Sequence, residues 1–129
     1  MSSEKEKMLA GELYDPLDPE LSAWRRRARL IFKALNETRD DQQDERARLV
    51  KKLIPASGEG VWIEPPFYCD YGTNITLGER VFFNFNCVVL DFAPVRIGSR
   101  VLFGPATARA RHATRRLSCS PRGRLPSGR

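Results

Sequence analysis

The amino-acid sequence predicts a mainly β protein with an α cap: N-terminal helices followed by an incomplete parallel β-helix of about two to three coils. Three observations support this prediction: helical apolar spacing confined to the N-terminal part, a six-residue apolar period after it, and a segment that repeats at an offset of 20 residues. We therefore divide the 129-residue chain into a helical cap (1–56), a β-helix (57–106) and an arginine-rich tail (107–129).

Helix-start signals open the first two helices. Ser3 followed by Glu6 is a capping-box pattern, which predicts a short helix to about Ala10. Asp18 followed by Pro19 places a capping side chain and a helix-compatible proline at the start of the next helix. Apolar residues of this second helix recur at spacings of three and four, which is typical of an amphipathic helix: Leu21, Trp24, Ala28, Ile31, Phe32 and Leu35.

A third helix is predicted from about Asp40 to the residue before Pro55, where the proline stops it. Its apolar face is predicted to contain Ala47, Val50, Leu53 and Ile54. We expect the three helices to form a small cap that packs on the larger β part.

After Gly58 the helical spacing disappears and apolar residues recur every six positions: Ile63, Cys69, Ile75, Val81 and Cys87. The count slips by two residues across 91–94 and resumes at Val95 and Val101. A six-residue period indicates a three-sided coil of 18 residues with one inward side chain on each side. Gly78 and Gly98 are expected at corners that require unusual φ values.

The segment 75–83 is echoed by 95–103, an offset that we interpret as one 18-residue coil plus the two-residue slip. On this interpretation Cys69 and Cys87 lie at equivalent positions of successive coils, with Cα atoms about 5 Å apart. We expect both to be buried thiols rather than a disulfide, since cytosolic cysteines stay reduced.

The charge of the chain is concentrated in its tail. The net charge is +6, yet residues 1–106 contain 15 Lys and Arg against all 16 Asp and Glu, whereas 107–129 contain seven arginines and no acid. The tail has no apolar period, so we expect it to be disordered. It could bind a nucleic acid or another acidic surface electrostatically, but it contains no aromatic residue for base stacking.

Composition also excludes several classes. The three cysteines, which include Cys119, have no CxxC spacing, so we predict no disulfide framework and no metal site. The sequence has no apolar run long enough to span a membrane and its N-terminus is too charged for a signal peptide. We therefore predict a cytoplasmic protein with no membrane partner.

Three stretches resemble the maltose and galactoside O-acetyltransferases, which are hexapeptide-repeat proteins. They are SEKEKMLAGELYDPLDPEL, RRRARLIFKALN, and WIEPPFYCDYGTNITLGERVFFNFNCVVLDFAPVRIGSRVLFGP. The resemblance covers residues 2 to about 106 and implies that the β-helix is left-handed. It also implies acetyl transfer from acetyl-CoA to a sugar hydroxyl, with a histidine as general base, in a homotrimer whose active sites lie between neighbouring β-helices.

The resemblance implies four substrate-binding residues. Asn84 matches the asparagine of the family's acceptor site, and Asp91 lies in an acidic neighbourhood that approaches the sugar. Asp70 is expected to face the same pocket, and Arg25 lies where the helical cap reaches over the acceptor. Carboxylates, amides and guanidinium groups suit this task because they pair with the donors and acceptors of sugar hydroxyls.

After Ala106 the sequence departs from the family, which continues with an apolar strand and a segment carrying the catalytic histidine. The one histidine of this chain, His112, falls about two residues early and lacks the following proline, so we assign no catalytic residue. The tail composition is typical of a GC-rich gene read out of frame, and we expect a truncated, inactive chain. Two alternatives are an arginine-tail binder and a structural fragment that joins trimers of an intact paralogue.

Overall fold

In the computed structural model, residues 2–106 and 108–110 are described, with only the backbone considered for 108–110. Three helices come first: α1 (Glu4–Leu9), α2 (Pro19–Asn36) and α3 (Gln43–Leu53). Nine short strands follow: β1 (Ala56–Ser57), β2 (Trp62–Ile63), β3 (Phe67–Cys69), β4 (Ile75–Leu77), β5 (Phe82–Phe83), β6 (Cys87–Leu90), β7 (Val95–Ile97), β8 (Leu102–Phe103) and β9 (Ala108–Ala110).

The helices begin at the residues whose side chains cap them. At α1 both halves of the predicted capping box form, with Ser3 and Glu6 each accepting from the other's backbone N–H at 3.0 and 2.9 Å. At α2 the Asp18 carboxylate accepts from the N–H groups of Glu20 and Leu21. The buried face of α2 consists of Leu21, Ala28, Ile31 and Leu35, as its spacing predicted.

The predicted face of α3 needs a correction. Ala47 is exposed, and Arg46 and Leu49 are buried beside Val50 and Leu53. The buried Arg46 donates to the hydroxyl of Thr38 and the carbonyls of Thr38 and Arg39, so its guanidinium holds the turn that leads into α3. Sequence spacing assigned this position to the solvent because hydropathy alone does not anticipate an arginine that folds back on its own backbone.

The strands form three parallel three-stranded sheets, in the orders β1-β4-β7, β2-β5-β8 and β3-β6-β9. Consecutive strands therefore belong to different sheets, and every third strand pairs with the one before it in the stack. This is the predicted parallel β-helix, with each sheet forming one side of a three-sided coil.

Each coil takes 20 residues, not the predicted 18. Ala56 pairs with Thr76, Trp62 with Phe82, and Ile75 with Val95. The two extra residues lie at one corner of every coil, which we call the wide corner: residues 70–74 in one coil and 91–94 in the next. The six-residue count crossed the first wide corner unnoticed because it passed from the second inward residue of β3 to the first inward residue of β4.

The correction changes the position of the cysteines. Cys69 is in register with Val89, and Cys87 with Phe67, so the two cysteines do not occupy equivalent positions. Both are buried and they are not joined in a disulfide, and the Cys87 thiol donates to the carbonyl of Gly104 at 3.4 Å. The predicted buried thiols are thus confirmed, whereas the predicted stacking of one cysteine on the other is wrong.

The predicted role of the corner glycines is also wrong. Neither Gly78 nor Gly98 has a positive φ; the left-handed positions are Arg80 and Arg100, 20 residues apart. Gly78 is instead required for close approach, since a Cβ there would lie 2.4 Å from the Ser99 hydroxyl oxygen and 2.6 Å from the Ser99 backbone nitrogen.

Inward side chains fill the coil in two positions per side. All five residues of the first six-residue run are buried, and so are the residues two positions away on the same strands, including Phe67, Leu77, Phe83 and Val89. The rings of Phe83 and Phe103 stack at 4.7 Å, and Phe67 meets Phe83 edge-on at 5.2 Å. The core is continuous with the buried faces of α2 and α3.

The helical cap covers the first coil through α2. Asn36, the last residue of α2, accepts from the backbone N–H of Phe67 at 2.8 Å and donates to its carbonyl at 3.0 Å. The amide of Asn36 thus continues the hydrogen-bond ladder on the outer edge of β3, which would otherwise present unpaired backbone groups.

One boundary of the predicted tail is wrong. Residues 108–110 form β9, which pairs with β6 in the register Val88↔Ala108 and Leu90↔Ala110. Parallel pairing needs only backbone donors and acceptors, so a stretch with no apolar period can still extend a sheet. The predicted disorder of 111–129, and with it His112 and Cys119, lies outside the described residues.

Candidate functional site

The first wide corner is organised by the carboxylate of Asp91, which belongs to the coil above it. Asp91 is completely buried. Its Oδ1 accepts from the backbone N–H groups of Asp70 (3.0 Å) and Tyr71 (2.9 Å), and its Oδ2 from those of Gly72 (2.8 Å) and Asn74 (3.2 Å).

Two opposing effects act on this carboxyl group. Burial raises the pKa of Asp91, whereas the backbone N–H donors at Tyr71, Asn74 and Gly72 favour the charged form and lower the pKa. Because both oxygens are already saturated with donors and none of the residue is exposed, the geometry favours a structural role for Asp91 over the predicted contact with a sugar.

Tyr71 connects this corner to the helical cap. Its hydroxyl accepts from Nη1 of Arg25 at 3.1 Å, and its backbone carbonyl accepts from Arg27 at 3.2 Å. Its ring lies 5.3 Å from that of Trp24, and the ammonium group of Lys5 lies 3.4 Å from the centre of the Trp24 ring. Burial raises the pKa of the Tyr71 hydroxyl, and the hydrogen bond from Arg25 opposes that shift.

Asp70 is the partly exposed carboxyl group at this corner. Burial and the nearby Asp91 carboxylate raise the pKa of Asp70 to about 6, while the guanidinium groups of Arg25 and Arg29 act in the opposite direction. A carboxyl group with a pKa near neutrality accepts hydrogen bonds when ionised and donates one when protonated. It is therefore suited to a ligand that carries hydroxyl groups.

Asn84 lies at a different corner, between β5 and β6. Its side-chain oxygen accepts from the backbone N–H of Phe85 at 2.8 Å, and its own N–H donates to the carbonyl of Phe103 at 3.1 Å. The side chain is partly exposed, and its amide nitrogen remains available to a ligand in this geometry.

The structure thus brings three of the four predicted site residues to one place: Arg25, Asp70 and Asp91 meet around Tyr71. Within the chain it does not bring Asn84 to the same corner. Sequence reasoning missed Tyr71 and Arg27 as the links between cap and coil. The signal for Tyr71 was available, because an aromatic residue directly before Gly72 stands where the six-residue period is broken.

Two searches of the described residues gave no site. No group of three or more His, Cys, Asp or Glu side chains there is arranged to hold a metal ion. Within the described part of the chain, no helix has both the length and the apolarity that crossing a membrane requires.

Comparison with known proteins places this architecture. Residues 7–58 match the family model described as the maltose acetyltransferase hexapeptide capping motif. Nodulation protein L of Rhizobium meliloti (strain 1021) is 43% identical over 104 residues, which are 81% of this chain and 57% of that protein.

Solved structures agree with the predicted left-handed β-helix and its cap. A maltose O-acetyltransferase from Clostridium difficile 630 superposes with a TM-score of 0.81 at 32% identity, over 88% of this chain and 62% of that one. A hexapeptide-repeat acetyltransferase of Vibrio cholerae O1 biovar eltor, complexed with acetyl-coenzyme A, superposes with a TM-score of 0.73 at 39% identity, over 83% and 57%.

The chain spans little more than half the length of these relatives, between 57% and 62%. Within that span the capping motif, the three parallel sheets and the identity of a third or more all coincide. The predicted family is confirmed: the chain belongs to the hexapeptide-repeat acetyltransferases of the maltose and galactoside O-acetyltransferase type.

Proposed function

We propose that this chain carries the sugar-acceptor side of an O-acetyltransferase that uses acetyl-CoA as donor. The observation that carries the proposal is the meeting of Arg25 from the cap with Asp70 and Tyr71 from the first wide corner. This meeting sets a guanidinium, a carboxyl and a phenol side by side. Such a set offers both donors and acceptors, as recognition of vicinal sugar hydroxyls requires.

Each residue has a separate task in the proposed site. Arg25 donates, and it is oriented by the hydroxyls of Tyr71 and Ser22, which accept from its two terminal nitrogens at 3.1 and 3.2 Å. Asp70 accepts from one sugar hydroxyl when ionised. Asn84 contributes from its own corner. We propose that it completes the acceptor site of a neighbouring subunit in a homotrimer.

The trimer is a proposal supported by the resemblance and by exposed aromatic residues on the coil. Phe85 is 51% exposed and Phe92 38% exposed, both at corners of the second coil. Apolar rings exposed on a coil surface are typical of contact with another chain. Sedimentation velocity at several concentrations tests this proposal: a single species with the mass of the monomer at all concentrations would contradict it.

Maltose binding tests the acceptor site, and Arg25→Ala has a matched control in Arg26→Ala. Arg26 is the neighbouring, exposed residue on the same helix. We expect Arg25→Ala to weaken maltose binding about tenfold, the effect of about 1.4 kcal/mol, and Arg26→Ala to leave it unchanged. Calorimetric titration measures both. Equal affinities of the two variants would contradict the assignment of Arg25, and no binding to the wild-type chain at millimolar maltose would contradict the proposed function.

We further propose that this chain does not transfer the acetyl group by itself, as its sequence predicts. The measurement is release of free coenzyme A from acetyl-CoA in the presence of maltose. Turnover that disappears in His112→Ala would contradict this proposal and assign a base to the tail. The cytoplasmic location stays a prediction.

A further inference from the structure

The first wide corner joins the helical cap to the β-helix. Gly72 has a φ of +79°, and a Cβ at this position would lie 2.3 Å from the backbone oxygen of Leu53, the last residue of α3. Arg27 of α2 donates both to the carbonyl of Tyr71 and to that of Lys52 at 2.5 Å. Both long helices of the cap therefore rest on the backbone of this one corner.

The corner is longer than the others and has more backbone N–H groups to satisfy, since a buried N–H without a partner is unfavourable. Four of them converge on one side chain, the carboxylate of Asp91. Asn74 adds a bond in the reverse direction, because its side-chain amide donates to the Asp91 carbonyl at 2.9 Å. The path of residues 70–74 is thus fixed from the coil above.

We propose that Asp91 is a positioning residue, which fixes the backbone of residues 70–74 so that Asp70 and Tyr71 meet Arg25 of the cap in the geometry that binds the acceptor. This inference rests on the acceptor site proposed above. It replaces the predicted contact between Asp91 and the sugar by an indirect role. Asp91 acts on the ligand only through the corner that it holds.

Asp91→Asn tests this role with little change of shape. An amide has one acceptor oxygen where the carboxylate has two, so Gly72 and Asn74, or Asp70 and Tyr71, would face an NH₂ donor instead of an acceptor. The corner must then move to relieve the contact, and the Tyr71 ring moves with it. Ser99→Ala is the matched control. The Ser99 hydroxyl accepts from the N–H of Glu79 at 2.9 Å, so it also joins two successive coils, but at another corner.

The first measurement uses the wild-type chain and no ligand. Scalar couplings across hydrogen bonds, recorded by NMR, should connect the Asp91 carboxyl carbon with the amide nitrogens of residues 70, 71, 72 and 74. Their absence, with other backbone couplings visible, would overturn the inference. This result does not depend on whether Asp91→Asn folds or on whether the chain binds a sugar.

The second measurement separates positioning from simple stabilisation. Well below the unfolding temperature, Asp91→Asn should shift the ring resonances of Tyr71 and Trp24 and weaken maltose binding about tenfold, because small misplacements of binding groups have large effects. Ser99→Ala should change neither. A folded Asp91→Asn variant of lower stability but with unchanged Tyr71 and Trp24 resonances would overturn the inference. Shifted resonances without maltose binding in the wild type would instead contradict the proposed function alone.

Discussion

The aromatic stack in the coil interior gives the sharpest test of the fold. Phe83 is 1% exposed and lies between Phe67 and Phe103, at ring distances of 5.2 and 4.7 Å. Removing a buried phenylalanine side chain destabilises a protein by about 3–5 kcal/mol. Total stability of a domain is about 5–15 kcal/mol, so Phe83→Ala should remove a large part of it. The expected fall in Tm is at least about 12 °C for a domain of this size.

The control is Phe85→Ala, two residues along the chain, where the ring is 51% exposed. We expect this variant to change the free energy of unfolding by less than about 0.5 kcal/mol, as is usual for surface substitutions. Urea unfolding followed by circular dichroism, at one protein concentration, measures both variants. A loss below about 1 kcal/mol for Phe83→Ala, or equal losses for the two variants, would refute the inward assignment of Phe83.

Two further predictions concern the first wide corner. Gly72→Ala should destabilise the chain, because φ is +79° and the new Cβ would lie 2.3 Å from the Leu53 carbonyl oxygen; a thermal transition equal to that of the wild type would contradict this. Asp70→Asn should be more favourable at pH 7 than at pH 4. The pKa of Asp70 is raised from 3.8 to about 6 in the folded chain, so the wild type loses stability as the pH rises through this interval. A carboxamide does not titrate there. Melting curves at the two pH values decide, and a difference in Tm between variant and wild type that does not grow with pH would contradict the prediction.

Local signals in the sequence were sufficient for the helical cap. Ser3, Glu6 and Asp18 act on backbone groups two or three residues away, so their effect can be predicted without knowing the fold. Arg46 could not be placed in this way. Its partners on Thr38 and Arg39 lie in the preceding turn, and the conformation of that turn depends on how α3 packs against α2.

The β-helix was predictable in kind but not in register. Apolar side chains at a fixed period indicate a coil, because only inward positions must be apolar. The number of residues per coil depends also on the corners, whose residues are polar and leave no period. The echo of segment 75–83 at 95–103 contained the correct value of 20, since it compares whole coils and includes their corners.

The roles of the site residues could be predicted only in part, for a reason that follows from the same corner. The positions of Arg25 and Asp70 follow from the fold, because the cap rests on the first coil. The role of Asp91 does not follow, since a carboxylate next to a pocket can face the ligand or the backbone, and only the four N–H groups around it decide. Regular coils bury their side chains and leave little polar surface that differs between relatives. The two extra residues of the wide corner break that regularity, and they occur where Asp70 and Tyr71 meet the cap. A departure from the repeat is therefore where a binding site in this chain should be sought, and the six-residue count, which passed over it, was least informative at that point.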